Sequence, residues 1–182
     1  VNTNVIDDAD LQLGYPSWGL PREIVAQFNT KGIRKLYSWQ RDCLLMPGVL
    51  SGGNLVYCAP TSGGKSLVAE ILLLRRVVAD PAQTSLLVVP FVSLVEEKYA
   101  YLRHICRVEL CSPTSGVRRR LRVKKFHGNT SASSLGRANI CVCTPEKATV
   151  LINHLMQAGK LSQVGCVVID EMHLLGDEGR GY

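Results

Sequence analysis

Residues 55–66 read LVYCAPTSGGKS, and this stretch decides the fold. The apolar run from Leu55 to Cys58 predicts a buried strand, and residues 59–64 form a glycine-rich turn after it. Apolar residues at helical spacing then predict a helix over Lys65–Ala79. A strand, a glycine-rich turn and a helix in this order are typical of a phosphate-binding loop, although Ala59 stands where glycine is usual.

The composition of the turn suits anion binding. Consecutive backbone N–H groups can wrap a phosphate only where small residues let the chain curl tightly. The helix N-terminus that follows favours negative charge, Lys65 adds a cation near the terminal phosphates, and Ser66 can place a hydroxyl on magnesium. The alternative is a glycine turn before a helix with a solvated lysine. We expect ATP and Mg²⁺ as cofactors, held by Ala59, Pro60, Thr61, Ser62, Gly63, Gly64, Lys65 and Ser66.

A second polar cluster lies 105 residues after Lys65 (170 − 65). Asp170 and Glu171 directly follow an apolar run that predicts another buried strand. One carboxylate is needed to hold magnesium, and its neighbour can orient and deprotonate an attacking water. We therefore expect Asp170 to bind the metal and Glu171 to act as the base, with Lys65 as the third catalytic group. A helix N-cap is the alternative for such a pair, and the phosphate-binding loop makes it the weaker one.

The rest of the chain alternates helices with strands. Such alternation, with solidly apolar strands, predicts an α/β fold with a parallel sheet covered by helices on both faces. Ligands bind such sheets where the carboxyl ends of the strands meet the following helices, which is where both polar clusters fall. Residues 1–17 are mostly polar and include residues that interrupt regular structure, so we expect a loose N-terminal lead-in, a segment that packs little against the domain. Helices are predicted over residues 21–30, 38–45, 65–79, 92–105 and 144–159, and strands over residues 55–58, 86–89, 121–126, 140–143 and 166–169.

Composition narrows the class of protein. The 182 residues are 46% hydrophobic and 20% charged, which predicts one domain with a packed core, and no apolar run is long enough to cross a bilayer. The net charge of +6 favours a polyanionic partner, and much of it lies in Arg118–Lys125. That run has three possible interpretations: a DNA-binding patch, a nuclear-import signal or a solvated strand face. The alternation of apolar and basic residues favours the solvated strand face. Scattered cysteines without a C-x-x-C pattern predict buried thiols at Cys58, Cys141, Cys143 and Cys166.

Together the motifs resemble the first RecA-like P-loop NTPase domain of superfamily 2 DExH helicases. Within that superfamily, the amino-acid sequence of these motifs is most similar to that of the helicase domain of the polymerase theta type and its helicase-only relatives. The resemblance runs from about residue 18 to the end. The phosphate-binding loop and the D-E-x-H segment occur in many helicases. Phe91-Val92-Ser93 and the segment 176–182 are more specific to helicases of the polymerase theta type. The matching stretches are Trp39-Gln40, Asn54 to Tyr57, Ala59 to Ser62, Pro90 to Ser93, Cys143-Thr144 with Glu146, Leu151 to Asn153, and Val167 to Tyr182.

The resemblance implies several residue roles and partners. Gln40 is expected to read adenine through both ends of its amide, and His173 to couple the nucleotide site to nucleic acid or to a second domain. The implied partner is single-stranded or branched DNA, or RNA, with a second RecA-like domain and no membrane. A DNA-repair role in the nucleus follows from the same likeness. The residues expected to grip the backbone of a single strand are Phe91, Val92, Ser93, Thr144, Pro145 and Glu146.

One departure from the family pattern affects the expected activity. The chain stops at Tyr182, before the family's strand that ends in Ser-Ala-Thr, so residues 18–182 are expected to be an incomplete first domain. The family's second domain supplies an arginine to the phosphates, and such an arginine is worth several orders of magnitude in rate. We expect the ATP-binding part of a DNA helicase or translocase, weak in hydrolysis alone. The alternatives are a related RNA helicase and a nucleotide-dependent binding fragment without turnover.

Overall fold

The computed structural model describes residues 8–60, 63–111, 118–128, 130 and 134–172. The five α-helices within these residues are α1 (Arg22–Thr30), α2 (Ser38–Leu45), α3 (Lys65–Ala79), α4 (Val92–Ile105) and α5 (Pro145–Gln157). The strands within them are β1 (Thr84–Val88), β2 (Glu109–Cys111), β3 (Arg118–Arg120), β4 (Val123–Phe126), β5 (Ile140–Cys143) and β6 (Val164–Ile169). No helix in this part of the chain has both the length and the apolar character that crossing a bilayer requires.

Four strands form a parallel sheet in the order β4-β5-β1-β6. Successive side chains of a strand point to opposite faces, and helices lie against both faces of this sheet. Leu87 and Val142 pack into the core cluster that contains residues of α3 and α4, whereas Leu86 and Cys141 pack into the cluster that contains residues of α5. The predicted parallel sheet with helices on both faces is therefore confirmed.

The predicted strand over residues 55–58 is wrong. The segment forms no strand, Val56 is 82% exposed, and Cys58 is exposed instead of buried. An apolar run becomes a strand only when its backbone groups pair with a neighbour. Among the described residues, β6 pairs with β1 along one edge, and no strand pairs with its other edge. Cys141 and Cys143, in contrast, are fully buried in the sheet as expected.

Residues 8–17 are packed rather than loose. Leu13 is fully buried, and its N–H donates to the carbonyl of Arg34 (3.0 Å). The fully buried Trp18 donates its indole N–H to the carbonyl of Gln12 at 3.1 Å. These contacts tie the segment to the chain around α1 and α2, and burial of Leu13 offsets the polar composition of its neighbours. Residues 1–7 lie outside the described residues.

A two-stranded antiparallel ribbon of β2 and β3 adds to the predicted architecture. The predicted strand over residues 121–126 begins only at Val123, and the preceding Arg118–Arg120 pairs with Glu109–Cys111 and does not join the sheet. Exposed Arg118 and Arg120 both contact Glu109, the latter at 2.6 Å. Half of the basic run thus lies on an exposed, partly neutralised ribbon, which favours the solvated face among the three alternatives.

Candidate nucleotide site

The carboxyl edge of the sheet positions the acidic pair. Val88 at the end of β1 lies beside Ile169 at the end of β6, and the N–H of Asp170 donates to the carbonyl of Val88 at 2.9 Å. The N–H of Glu171 donates to the Asp170 carboxylate at 3.0 Å. Glu171 has φ of 56°, a left-handed conformation that non-glycine residues adopt at a cost and that is often found at functional sites.

The two polar clusters of the sequence converge at this edge. The Nζ of Lys65, in the first turn of α3, lies 3.8 Å from Oε1 of Glu171. Both side chains remain about one-third exposed, so they line an open surface rather than the core. A cation and two carboxylates next to a helix N-terminus can hold a phosphate chain together with its metal.

The turn before α3 leaves room only for glycine at two positions. Gly64 has φ of +81°, and a Cβ there would lie 2.6 Å from Nε2 of Gln40. A Cβ on Gly63 would lie 2.9 Å from the carbonyl oxygen of Pro60. Both glycines therefore lie where the backbone is too tightly packed for a side chain, and small residues of this kind beside Lys65 and a helix N-terminus fit a bound triphosphate. Thr61 and Ser62, also predicted here, lie outside the described residues.

Gln40 bridges α2 to this turn. Its side chain is almost fully buried, its Oε1 accepts from the N–H of Tyr37 at 2.7 Å, and its Nε2 donates to the carbonyl of Gly64 at 2.8 Å. Both ends of the amide are thus engaged with the protein. Recognition of adenine by Gln40 stays a prediction. Tyr37, whose N–H bonds the amide, is 63% exposed.

Tyr57 is a site residue that the sequence did not single out. Its hydroxyl donates to the carbonyl of Lys65 at 2.7 Å, and its ring packs against Trp39 with centroids 6.1 Å apart. Burial, together with a smaller effect of the nearby Asp170 carboxylate, raises the pKa of Tyr57 to about 12. Tyr57 therefore attaches the unpaired segment before the loop to the first turn of α3. An aromatic residue in the apolar run was the only signal for it.

A second set of contacts that the sequence did not predict joins Ser66 to Lys98 and Glu70. The Nζ of Lys98 donates to the Ser66 hydroxyl at 2.9 Å and lies 3.7 Å from Oε1 of Glu70. The hydroxyl of Tyr101 donates to Oε2 of the same carboxylate at 3.1 Å. Burial raises the pKa of Glu70 to about 7, against the opposing effect of Lys98. A glutamate on the apolar face of α3, four residues after Ser66, was the signal that could have revealed it.

The residues predicted to contact nucleic acid lie at the same edge of the sheet. Strands β1 and β5 are parallel neighbours, so the segments that follow them begin side by side. Phe91, Val92 and Ser93 are exposed at the start of α4. At the start of α5, Thr144 is buried and makes no side-chain capping bond, Pro145 is half-buried and Glu146 is exposed. His173 lies outside the described residues.

Most of the chain is similar in sequence to proteins of a known family. The DEAD/DEAH box helicase family matches residues 40–182. Mouse DNA polymerase theta is 41% identical over 179 residues, which cover 98% of this chain and 7% of that protein. Human Helicase POLQ-like is 34% identical over 188 aligned positions, which cover 100% of this chain and 16% of that protein. The chain thus spans less than a fifth of the length of these relatives.

A solved structure shares the fold. The crystal structure of the DUF1998 helicase MrfA bound to DNA and AMPPNP superposes with a TM-score of 0.63 at 22% sequence identity. The match covers 86% of this chain and 22% of that one.

Proposed function

Because this chain belongs to the DEAD/DEAH box helicase family, we propose that it is the ATP-binding part of an ATP-dependent DNA helicase or translocase of the polymerase theta type. The observation that carries the proposal is the convergence of Lys65 and Glu171, whose charged atoms lie 3.8 Å apart although the residues are far apart in sequence. The proposed setting is DNA repair in the nucleus. In this proposal the chain is part of the first RecA-like domain of the helicase, and a second RecA-like domain completes the motor.

Each charged group at the site has a proposed role. Lys65 and the N–H groups at the start of α3 hold the phosphates of ATP. Ser66 and Asp170 hold Mg²⁺, which is bound by hard oxygen ligands and neutralises phosphate charge. Glu171 orients and deprotonates the attacking water. Gln40 and the exposed Tyr37 lie where the loop meets α2 and are proposed to bind adenine, for which the Gln40 amide must exchange its present bonds to Tyr37 and Gly64.

The nucleic-acid contacts are proposed for the neighbouring loops. Helix N-termini and exposed loops at strand ends are suited to phosphate contacts. The starts of α4 and α5 lie side by side at the edge, with Phe91–Ser93 exposed on one of them. Single-stranded DNA is the proposed ligand because mouse DNA polymerase theta, which acts on DNA according to its name, is 41% identical to this chain. His173 is proposed to couple this surface to the nucleotide site.

The test separates binding of ATP from its hydrolysis. In the complete protein, Lys65→Ala should abolish Mg²⁺-dependent ATP binding, whereas Glu171→Gln should bind ATP and lose at least about 100-fold in turnover. Lys31→Ala, at an exposed lysine after α1, is the matched control and should change neither quantity. Unchanged ATP binding by Lys65→Ala would refute the site.

A competition assay addresses the nucleic-acid partner. Unlabelled DNA and RNA strands of one sequence should compete unequally for the protein, with DNA the stronger competitor. Stronger competition by RNA would support the RNA-helicase alternative. Nucleotide binding without turnover by the complete protein would support the binding-fragment alternative.

A further inference from the structure

Helix α4 reaches from the proposed nucleic-acid edge to the phosphate-binding loop. Its first turn carries Val92 and Ser93, and Lys98 lies in its middle. The side chain of Lys98 is only 16% exposed and donates to the hydroxyl of Ser66 at 2.9 Å. One rigid helix thus contacts a group in the nucleotide site while its start borders the other proposed surface.

Lys98 has a second partner within short reach. Oε1 of Glu70 lies 3.7 Å from the Lys98 ammonium, and the whole of Glu70 is 5% exposed. Tyr101, three residues after Lys98 on α4, holds the other carboxylate oxygen at 3.1 Å. The ammonium therefore lies between a hydroxyl that it contacts closely and a buried carboxylate to which it can move by a small rotation of its side chain.

The two partners of Lys98 are not equivalent once a metal is bound. In the proposed function, Ser66 gives its hydroxyl oxygen to Mg²⁺. An ammonium on the same oxygen would place two cations against each other in a partly buried site, where like charges repel strongly. Ser66 can therefore bind the metal only if Lys98 withdraws, and Oε1 of Glu70 is the acceptor next to Lys98.

From this geometry we propose that Lys98 is a positioning residue that links the nucleotide site to α4. It holds the hydroxyl of Ser66 while that oxygen has no metal to bind, and it moves onto Glu70 when Ser66 turns to the metal. The movement changes how α4 is held against α3, and with it the surface at Phe91–Ser93. This inference rests on the proposed function. Because coupling of two binding sites is reciprocal, DNA and Mg²⁺–ATP should alter each other's affinity by the same factor.

The test uses the complete protein and its variant Lys98→Met, which keeps the length of the side chain and removes the donor and charge. Arg103→Met, at an exposed cation on the same helix, is the matched control. Two affinities are measured: that of a fluorescent ATP analogue as Mg²⁺ is titrated, and that of a single-stranded DNA with and without the non-hydrolysable analogue. Lys98→Met should bind the Mg²⁺-nucleotide about tenfold tighter, which corresponds to one hydrogen bond that need not be broken. Its DNA affinity should no longer respond to nucleotide.

Glu70→Gln tests the same link in the opposite direction. Without the carboxylate, Lys98 keeps Ser66 as its better partner, so the affinity for the Mg²⁺-nucleotide should fall several-fold. This variant also decides the question if Lys98→Met fails to fold, which thermal unfolding would reveal.

The outcomes separate the two claims. A wild-type protein without Mg²⁺-dependent nucleotide binding would refute the proposed function itself. Normal wild-type binding together with unchanged or weaker binding by Lys98→Met, or unchanged binding by Glu70→Gln, would overturn the inference and leave the proposed function standing. A retained nucleotide effect on DNA affinity in Lys98→Met would also overturn it.

Discussion

Substitution of Gly64 by alanine tests the packing at the phosphate-binding loop, and Gly32 offers a matched control. Both glycines have nearly the same left-handed backbone, with φ of +81° and +80°. A Cβ on Gly32 would meet nothing within 4 Å, whereas a Cβ on Gly64 would lie 2.6 Å from Nε2 of Gln40. The two variants therefore share the backbone cost and differ only in the collision with Gln40.

The magnitudes follow from these contacts. A non-glycine residue in the left-handed region costs about 1–2 kcal/mol, and this applies to Gly32→Ala and Gly64→Ala alike. In Gly64→Ala, the Gln40 amide must also move, which breaks its bonds to Tyr37 and to residue 64. Two net hydrogen bonds and a buried amide left without partners add about 2–4 kcal/mol. Gly64→Ala should therefore lose at least twice as much free energy of unfolding as Gly32→Ala.

Urea unfolding followed by circular dichroism measures both free energies, and a double-mutant cycle isolates the collision. In a Gln40→Ala background there is no amide to displace, so Gly64→Ala should cost no more than Gly32→Ala does. Equal losses for the two glycine variants in the wild-type background would refute the reasoning. So would an excess loss in Gly64→Ala that persists when Gln40 is absent.

Three further predictions test the surrounding contacts. Tyr57→Phe removes the hydroxyl that bonds the carbonyl of Lys65, and should lower the free energy of unfolding by about 1 kcal/mol in thermal or urea unfolding. Because burial raises the pKa of Glu70 to about 7 from 4.5, the folded protein holds a proton that the unfolded chain releases. The free energy of unfolding should therefore fall as the pH rises from about 4.5 to about 7, and Glu70→Gln should flatten that part of the profile in unfolding curves across this range. Exposed Cys58 should react with a thiol reagent in the native state, whereas Cys141, whose pKa burial raises to about 12, should react only after unfolding, as mass spectrometry of labelled peptides can establish.

Local signals in the sequence predicted most of the fold. The helix from Lys65 to Ala79 and the one over residues 92–105 match α3 and α4, because amphipathic periodicity is a property of consecutive residues. The strand over residues 140–143 also matches, because a strand in the interior of a parallel sheet is apolar on both faces.

Long-range contacts explain the misses. The apolar run over residues 55–58 has the composition of a strand, but strand formation depends on a partner elsewhere in the chain. The contact from Lys98 to Ser66 spans 32 residues, and no pattern in either segment predicts it. The polar composition of the expected lead-in concealed Leu13, whose burial depends on the surface offered by α1 and α2.

The same long-range dependence determines how rigidly the proposed nucleotide site is held. On one side, Asp170 is tied to the centre of the sheet through the hydrogen bond to Val88. On the other side, the loop is attached by side chains, through the Gln40 amide at Gly64 and the Tyr57 hydroxyl at Lys65. A network of single side-chain hydrogen bonds, each worth about 1 kcal/mol, deforms more readily than a sheet. The Lys65 side of the site should therefore yield first when ATP binds, and the acidic pair should remain the fixed reference against which the loop closes.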